Sequence, residues 1–376
     1  MLYNAFKGKQ LSALGLGCMR FPTLPDKSVD FEKTKEIIDF AFKNGINYYD
    51  TAWGYHYGQS ESVLGEILSS YDRNDYYLAS KFPGYDLENF GKQKEIFEKQ
   101  LEKCKTDYFD FYLFHCVSES NIEAYLDDEK YGVYSFLTEQ KKLGRIKHLG
   151  LSCHCSIDTL KRFFDAYGND IEFCQIQLNW LDWEYQDAKA KVDFLNSINV
   201  PVWVMEPVRG GRLFNLAPVF DKVLKDACPD RTTAEWAFRF IQTVPGVCVT
   251  LSGMSNLEQL KENIGLFSEK KPLTAEETEL LFDLGRKMTA KNPLPCTGCK
   301  YCTEYCPMEL DIPYIIELYN NYKFTTGGYI APKETSLMEE NKKPSACIGC
   351  QACEAVCPQS IKISEMMADF TTRLKP

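Results

Sequence analysis

Two runs of cysteine are the first residues in the chain whose types and spacing carry chemistry. Residues 296–307 read CTGCKYCTEYCP and residues 347–358 read CIGCQACEAVCP. Each run places three thiols at intervals of three, a fourth after three further residues, and then a proline. Thiolates spaced this closely bind metal. Zinc takes four of them, usually from two separated CxxC pairs. Here three ligands wrap one compact loop, and C-x2-C-x2-C-x3-C-P is the bacterial iron–sulfur pattern. The remaining cysteines (Cys18, Cys104, Cys116, Cys153, Cys155, Cys174, Cys228 and Cys248) are scattered. Most of them read as small buried apolar side chains.

Where two such runs share a domain, as in two-cluster ferredoxins, the fourth cysteine of each run ligates the other cluster. One [4Fe–4S] cluster is therefore expected on Cys296, Cys299, Cys302 and Cys357, and the other on Cys347, Cys350, Cys353 and Cys306. The segment between the runs includes LDIPYIIELYNNYKF, whose Ile, Leu and Tyr spacing is helical. The module thus resembles the longer, mainly helical two-cluster ferredoxins. Pro293 and Pro295 mark its entry, since proline ends a preceding helix. The expected boundary falls near 288–294, with residues 1–288 taken as one domain and 289–376 as the other.

The chain that carries these runs has 376 residues, enough for one large and one small domain, with 44% apolar and 26% charged residues. A net charge of −10 argues against nucleic acid, whose binding requires a basic face. The N-terminus has no long apolar stretch of the kind an export signal needs. Apolar runs such as VPVWVM are strand-sized and too short to cross a membrane. A cytoplasmic location is expected, which also suits reduced, metal-binding thiols.

Upstream of the cysteines, short apolar strands alternate with longer amphipathic segments. The strands are expected at 14–20, 46–50, 76–81, 109–115, 146–152, 173–179, 200–206 and 247–253. Helical patterns such as FEKTKEIIDFAFKNG and NLEQLKENIGLF lie between them. Eight such units predict an α/β fold, a (β/α)8 TIM barrel, followed by the small helical iron–sulfur domain. The rival, an open doubly wound sheet, would be favoured by GxGxxG after the first strand, and GLGCMRF lacks the third glycine.

Chemistry in a barrel sits at the C-terminal ends of its strands. Asp50, Lys81 and His115 end strands two, three and four of the eight, and Tyr55 follows strand two. Singly these residues have ordinary readings: a helix cap, a snorkelling lysine, a satisfied core histidine. Together they set an acid, a phenol, an ammonium and an imidazole on one rim.

GINYYDTAWGY, GQSESVLG, LASK and DFYLFH, in that order, resemble the aldo-keto reductase superfamily, whose tetrad is Asp, Tyr, Lys and His. The resemblance covers roughly residues 10–285, and EPVRGGRL and SGMSNLEQLKENI extend it to the last two strands. With the tail, the whole chain is similar to the ferredoxin-like subgroup of that superfamily. The resemblance implies Asp50, Tyr55, Lys81 and His115 as catalytic residues. It implies NADP(H) or NAD(H) as hydride carrier and a small carbonyl or alcohol as substrate. Tyr55 is preferred over Tyr57 by the D-T-A-x-x-Y spacing. Gly253, Met254, Ser255 and Gln259 would hold phosphates and ribose at the head of a helix. Asn263 would meet the adenine, and Ser152, Gln175 and Asn179 the nicotinamide carboxamide.

Three features depart from the superfamily. Ser152 is followed by Cys153 where Ser-Asn is frequent, Met205 stands where an aromatic often stacks on the nicotinamide, and no arginine is directly beside Ser255. Trp53, Tyr85, His154, Trp180 and Trp183 lie near strand ends as candidate pocket liners. A free phenol titrates near pH 10, so Lys81 is expected to lower the Tyr55 pKa.

Clusters move single electrons whereas nicotinamide moves hydride, and flavin is the common converter. No separate flavin motif is visible. The clusters either brace the tail, exchange electrons with a flavin or substrate in the barrel, or serve an outside redox partner; a redox role is preferred. The function expected is an aldo-keto-reductase-type oxidoreductase with two clusters for electron transfer. The alternative is an electron-transfer or redox-sensing protein whose barrel binds nucleotide without reducing a carbonyl. No heptad pattern is present, so the sequence assigns no oligomeric state.

Overall fold

A computed structural model describes residues 1–374 except 27, 120, 212, 291–292, 295, 297–300, 325–326, 328–329, 356 and 358–360. It divides into two compact units, residues 1–210 with 234–278, and residues 211–233 with 279–376.

The first unit opens with a hairpin of β1 (Tyr3–Phe6) and β2 (Lys9–Ser12), which the sequence reading leaves unassigned. Eight parallel strands then close a barrel. They are β3 (Leu14–Gly17), β4 (Tyr48–Asp50), β5 (Tyr77–Phe82), β6 (Phe109–Val117), β7 (Ile146–Cys153), β8 (Cys174–Gln177), β9 (Val202–Met205) and β10 (Val247–Ser252). Each pairs with its neighbours in sequence, and β10 closes on β3. Every expected strand is present, within a few residues of its expected ends.

Strand residues alternate between the two faces of a sheet. Tyr48, Ala79, Phe111, Leu113, Phe173, Trp203, Val249 and Leu251 form one buried cluster together with Phe6 of the hairpin. The Phe6 ring meets Phe111, Phe173 and Trp203 at 5.6, 6.4 and 5.2 Å, so the hairpin caps the N-terminal end of the barrel with aromatic packing. Gly150 allows this fill: a Cβ there would stand 2.5 Å from the Phe173 ring. Two residues beyond the cluster, the same alternation brings Asp50, Lys81, His115 and Gln175 to the opposite, open end of the barrel.

The second unit is mainly helical. Helices Ile312–Phe324 and Ile363–Arg373 bring Ile312, Ile315, Ile316, Tyr319, Met366, Met367 and Phe370 into one core. Cys302 and Cys353 are buried in it, and Cys296, Cys306, Cys347 and Cys357 pack against it. Of the isolated cysteines, Cys18, Cys104, Cys153, Cys155, Cys174 and Cys248 are buried, while Cys116 and Cys228 are partly exposed. No helix among the described residues is long and apolar enough to cross a membrane.

Candidate active site and cluster site

At the open end of the barrel the Lys81 side chain is fully buried. Its Nζ donates to Asp50 Oδ1 at 2.6 Å and to the Thr51 carbonyl oxygen at 2.7 Å. It also lies 5.0 Å from the centroid of the Tyr55 ring, which stands edge-on to His115 at 6.1 Å. The structure thus brings all four tetrad candidates together. Tyr85 flanks them, its ring 5.3 Å from that of His115. Tyr57 points away and is exposed.

The electrostatics follow from burial. Burial alone would lower the Lys81 pKa, but Asp50 and Tyr55 outweigh it and the ammonium is favoured. Burial raises the Asp50 carboxyl pKa against the opposing pull of Lys81. Burial likewise pushes Tyr55 up to about 12, with Lys81 pulling down and Asp50 adding to the rise. Lys81 acts in the expected direction, but desolvation of the phenolate is the larger effect, so the phenol keeps its proton at neutral pH. His115 is held well below the usual range by burial, by Lys81 and by His154, so its imidazole is neutral. Its Nδ1 is buried without a hydrogen-bond partner among the described residues.

The cofactor candidates divide. Gln175 is buried, and among the described residues its Oε1 has no partner and its Nε2 meets only the Met205 sulfur, at 3.6 Å. Ser152 Oγ accepts from the Cys116 N–H at 2.9 Å, which leaves its own hydroxyl proton to donate. Asn179 is fully engaged. Its Nδ2 donates to Asp182 Oδ2 at 2.7 Å and to the Glu206 carbonyl at 3.1 Å, while its Oδ1 accepts from the Leu181 and Asp182 N–H groups. An orphaned carbonyl beside a free hydroxyl fits a carboxamide, and the saturated Asn179 offers it nothing.

Beyond β10, Asn256 caps helix Leu257–Leu266 by accepting from the Gln259 N–H. Gln259 Oε1 accepts from the Ser255 N–H at 2.9 Å. Met254 is buried, and Asn263 Nδ2 donates to Ser252 Oγ at 3.2 Å. Arg20 arrives from the end of β3. Its carbonyl accepts from Ser255 Oγ at 2.7 Å, and a Cβ on Gly253 would meet its side-chain stem at 3.0–3.1 Å. An arginine therefore does stand beside this turn, 235 residues away in sequence. Barrel closure brings it there, which no local motif announces.

Trp53 packs under Lys103, Trp180 is buried, Trp183 packs on Phe240 and His154 is exposed. Of the expected liners, Tyr85 stands against the His115 ring, and His154 is near enough to add to the lowering of the His115 pKa.

In the second unit, Cys306, Cys347, Cys350 and Cys353 line one partly open pocket. That is the ligand set expected of one cluster, with Cys306 contributed by the first run. Gly349 and Gln351 take positive φ (68° and 60°), which turns the loop so that Cys347, Cys350 and Cys353 face one space. The Leu310 N–H donates to Cys306 Sγ at 3.5 Å. Among the described residues no three Cys, His, Asp or Glu converge on a single metal ion. Four thiols around one space match the number of ligands that a [4Fe–4S] cluster takes. Cys299, in the other expected set, and Pro295 lie outside the described residues.

A profile of the aldo/keto reductase family matches residues 13–284, and one of the 4Fe-4S dicluster domain matches residues 295–361. The chain belongs to the aldo/keto reductase family and carries a C-terminal 4Fe-4S dicluster domain. It is 27% identical over 301 residues to the uncharacterized oxidoreductase YqkF of Bacillus subtilis, spanning 72% of this chain and 92% of that one. It is 26% identical over 224 residues to the NAD(P)H-dependent 6'-deoxychalcone synthase of Glycine max, spanning 55% of this chain and 66% of that one. Its fold is similar to that of the aldo-keto reductase AKR11C1 from Bacillus halodurans, with a TM-score of 0.62 and 26% identity, over 76% of this chain and 96% of that chain.

Proposed function

We propose that this oxidoreductase interconverts a small carbonyl and its alcohol with a nicotinamide dinucleotide, and that two [4Fe–4S] clusters exchange electrons with its barrel or with an outside partner. The observation that carries the reading is the buried Lys81 ammonium, fixed by Asp50 and Thr51 and facing the Tyr55 ring. Tyr55, protonated at neutral pH, gives its proton to the substrate oxygen. Lys81 stabilises the phenolate left behind, and Asp50 holds Lys81 in register. His115, neutral and with no side-chain hydrogen bond among the described residues, orients the oxygen. The nicotinamide, when bound, supplies hydride to the carbonyl carbon.

Gln175 and Ser152 would receive the carboxamide. The turn of Gly253, Met254, Ser255 and Gln259, with Asn263 on the helix behind it, would receive the phosphates, ribose and adenine. The 1–288 and 289–376 division is supported by the two family matches, which end at 284 and begin at 295. A reducing cytoplasm suits the isolated thiols of the barrel and the thiolate ligands that the clusters would need.

The test is carbonyl-dependent oxidation of NADPH and of NADH by the wild type and by Tyr55→Phe. Loss of turnover in the variant supports the assignment, and equal rates refute it. For the clusters, Cys296→Ser and Cys350→Ser are expected to lose iron and alter electron-acceptor specificity. Full turnover with unchanged specificity would remove the clusters from the electron path.

A further inference from the structure

Tyr55 stands at the start of a strained turn. His56 and Tyr57 have φ of 52° and 55°, and Gly58 follows at 86°. Non-glycine residues in the left-handed region persist only where their surroundings over-determine them. Two fastenings do so here. The His56 Nε2 accepts the Phe21 N–H at 2.9 Å. On the other side, Lys103 Nζ donates to the Gly58 carbonyl at 3.2 Å and stands 4.1 Å over the Trp53 ring.

Lys103 has its own anchor. Glu61, fully buried, holds its Oε2 3.5 Å from Lys103 Nζ. The Glu61 Oε1 accepts from Ser80 Oγ and from Gln100 Nε2, both at 2.7 Å. Gln100 Nε2 also reaches the Lys81 carbonyl at 3.0 Å, and Gln100 Oε1 accepts from Tyr112 at 2.6 Å. Gln100 and Lys103 are three apart on helix Gln93–Lys103 and so share a face. Gly65 brings helix Ser60–Leu68 against the end of that helix: a Cβ there would lie 2.4 Å from the Lys103 carbonyl oxygen. Backbone contact this close fixes where the Lys103 side chain starts.

We propose that Lys103 is a positioning residue for Tyr55, with Glu61 as its buried counter-charge, and that this pair ties the Tyr55 turn to the strand carrying Lys81. The inference rests on the reading of Tyr55 as the acid. Through Glu61, Gln100 and Ser80 the phenol-bearing turn and the ammonium-bearing strand share one buried network. The distance between proton donor and stabilising charge is then set from beneath the site, by residues that touch neither substrate nor cofactor.

The experiment uses the full-length, cluster-loaded protein and its variants Lys103→Met, Lys103→Arg and Glu61→Gln. Lys99→Met is the control, since among the described residues Lys99 makes only an exposed pair with Glu102 on the same helix. Amide exchange across residues 53–60, kcat and KM, and the pH profile of kcat are read for each. Lys103→Met is expected to speed exchange in 53–60 and to lower kcat about tenfold to a hundredfold, the effect of displacing a catalytic group by about an ångström. KM is expected to stay near wild type, the pH profile to shift, Lys103→Arg to recover most of the loss, and Lys99→Met to change nothing. Unchanged exchange and unchanged kcat in Lys103→Met would overturn the proposal, whether or not Glu61→Gln folds. If the wild type reduces no carbonyl, the acid assignment to Tyr55 fails, and faster exchange in 53–60 still decides whether Lys103 holds the turn.

Discussion

Replacing Lys81 with methionine removes an ammonium that makes three contacts. Two are hydrogen bonds, of 2.6 Å to Asp50 and 2.7 Å to Thr51, and the third is its approach to the Tyr55 ring at 5.0 Å. Among the described residues Asp50 Oδ2 already lacks a partner, so the variant leaves a buried carboxylate with no described group to balance it. Breaking one side of a buried ion pair costs about 3–5 kcal/mol. For a unit of this size that corresponds to a fall in melting temperature of roughly 6–20 °C. Asp50→Leu combined with Lys81→Met removes both charges and is expected to recover most of the loss.

Burial already raises the Asp50 pKa, and without Lys81 nothing opposes it. A group whose folded pKa is raised is most stabilising below its unfolded pKa, about 3.9 for Asp, and loses that contribution as pH rises through the folded value. The Lys81→Met deficit should therefore be smaller at pH 5 than at pH 8. All five tryptophans lie in the first unit, so their emission follows its unfolding apart from the iron–sulfur unit. A deficit under about 1 kcal/mol, the range of an exposed pair, or a double variant no better than the single one, would refute the reasoning.

Three further outcomes are expected. Tyrosine difference spectra of the wild type minus Tyr55→Phe should show this phenol ionising near pH 12, well above a free tyrosine; a step near pH 10 would mean that burial does not control it. Against the cost of burial, Glu172 is held well below the ordinary carboxylate range by His148, Lys141 and Lys7, so its stabilisation is present above its unfolded pKa and lost as pH falls through the folded one. Glu172→Gln should thus melt lower than wild type at pH 7 and converge with it in strong acid, and a pH-independent difference would contradict this. Cys306→Ser should lose the iron held with Cys347, Cys350 and Cys353 and keep the other cluster, with iron content and EPR as the measure; loss of the other cluster alone would invert the ligand sets.

Much of this architecture is legible without coordinates. Alternation at period two in segments such as FDFYLFH marks a strand and also fixes its faces. Once Phe111 points into the barrel, His115 must too. The spacing of Asp50 and Tyr55, and of the cysteines within each run, is local in the same sense. The hairpin of Tyr3–Ser12 was not legible because its purpose lies elsewhere: Phe6 fills the barrel floor between rings contributed by three distant strands. Asn179 shows the opposite failure. Its type and position suit a cofactor, yet four hydrogen bonds to Asp182, Glu206 and Leu181 consume it.

The sequence by itself marked the eight barrel strands, the four tetrad candidates, the family resemblance and the spacing of the cysteines within each run, because periodicity and spacing are properties of neighbouring residues. Only the tertiary structure decided which polar atoms remain free to act. Among the described residues it left Gln175 Oε1 and His115 Nδ1 unpartnered, and it delivered Arg20 to the turn at Gly253 and set Lys103 and Glu61 beneath Tyr55. Closing the barrel joins its first strand to its last, and burial then decides by desolvation which charges survive and which protons stay bound. Neither effect is written in any short stretch of chain.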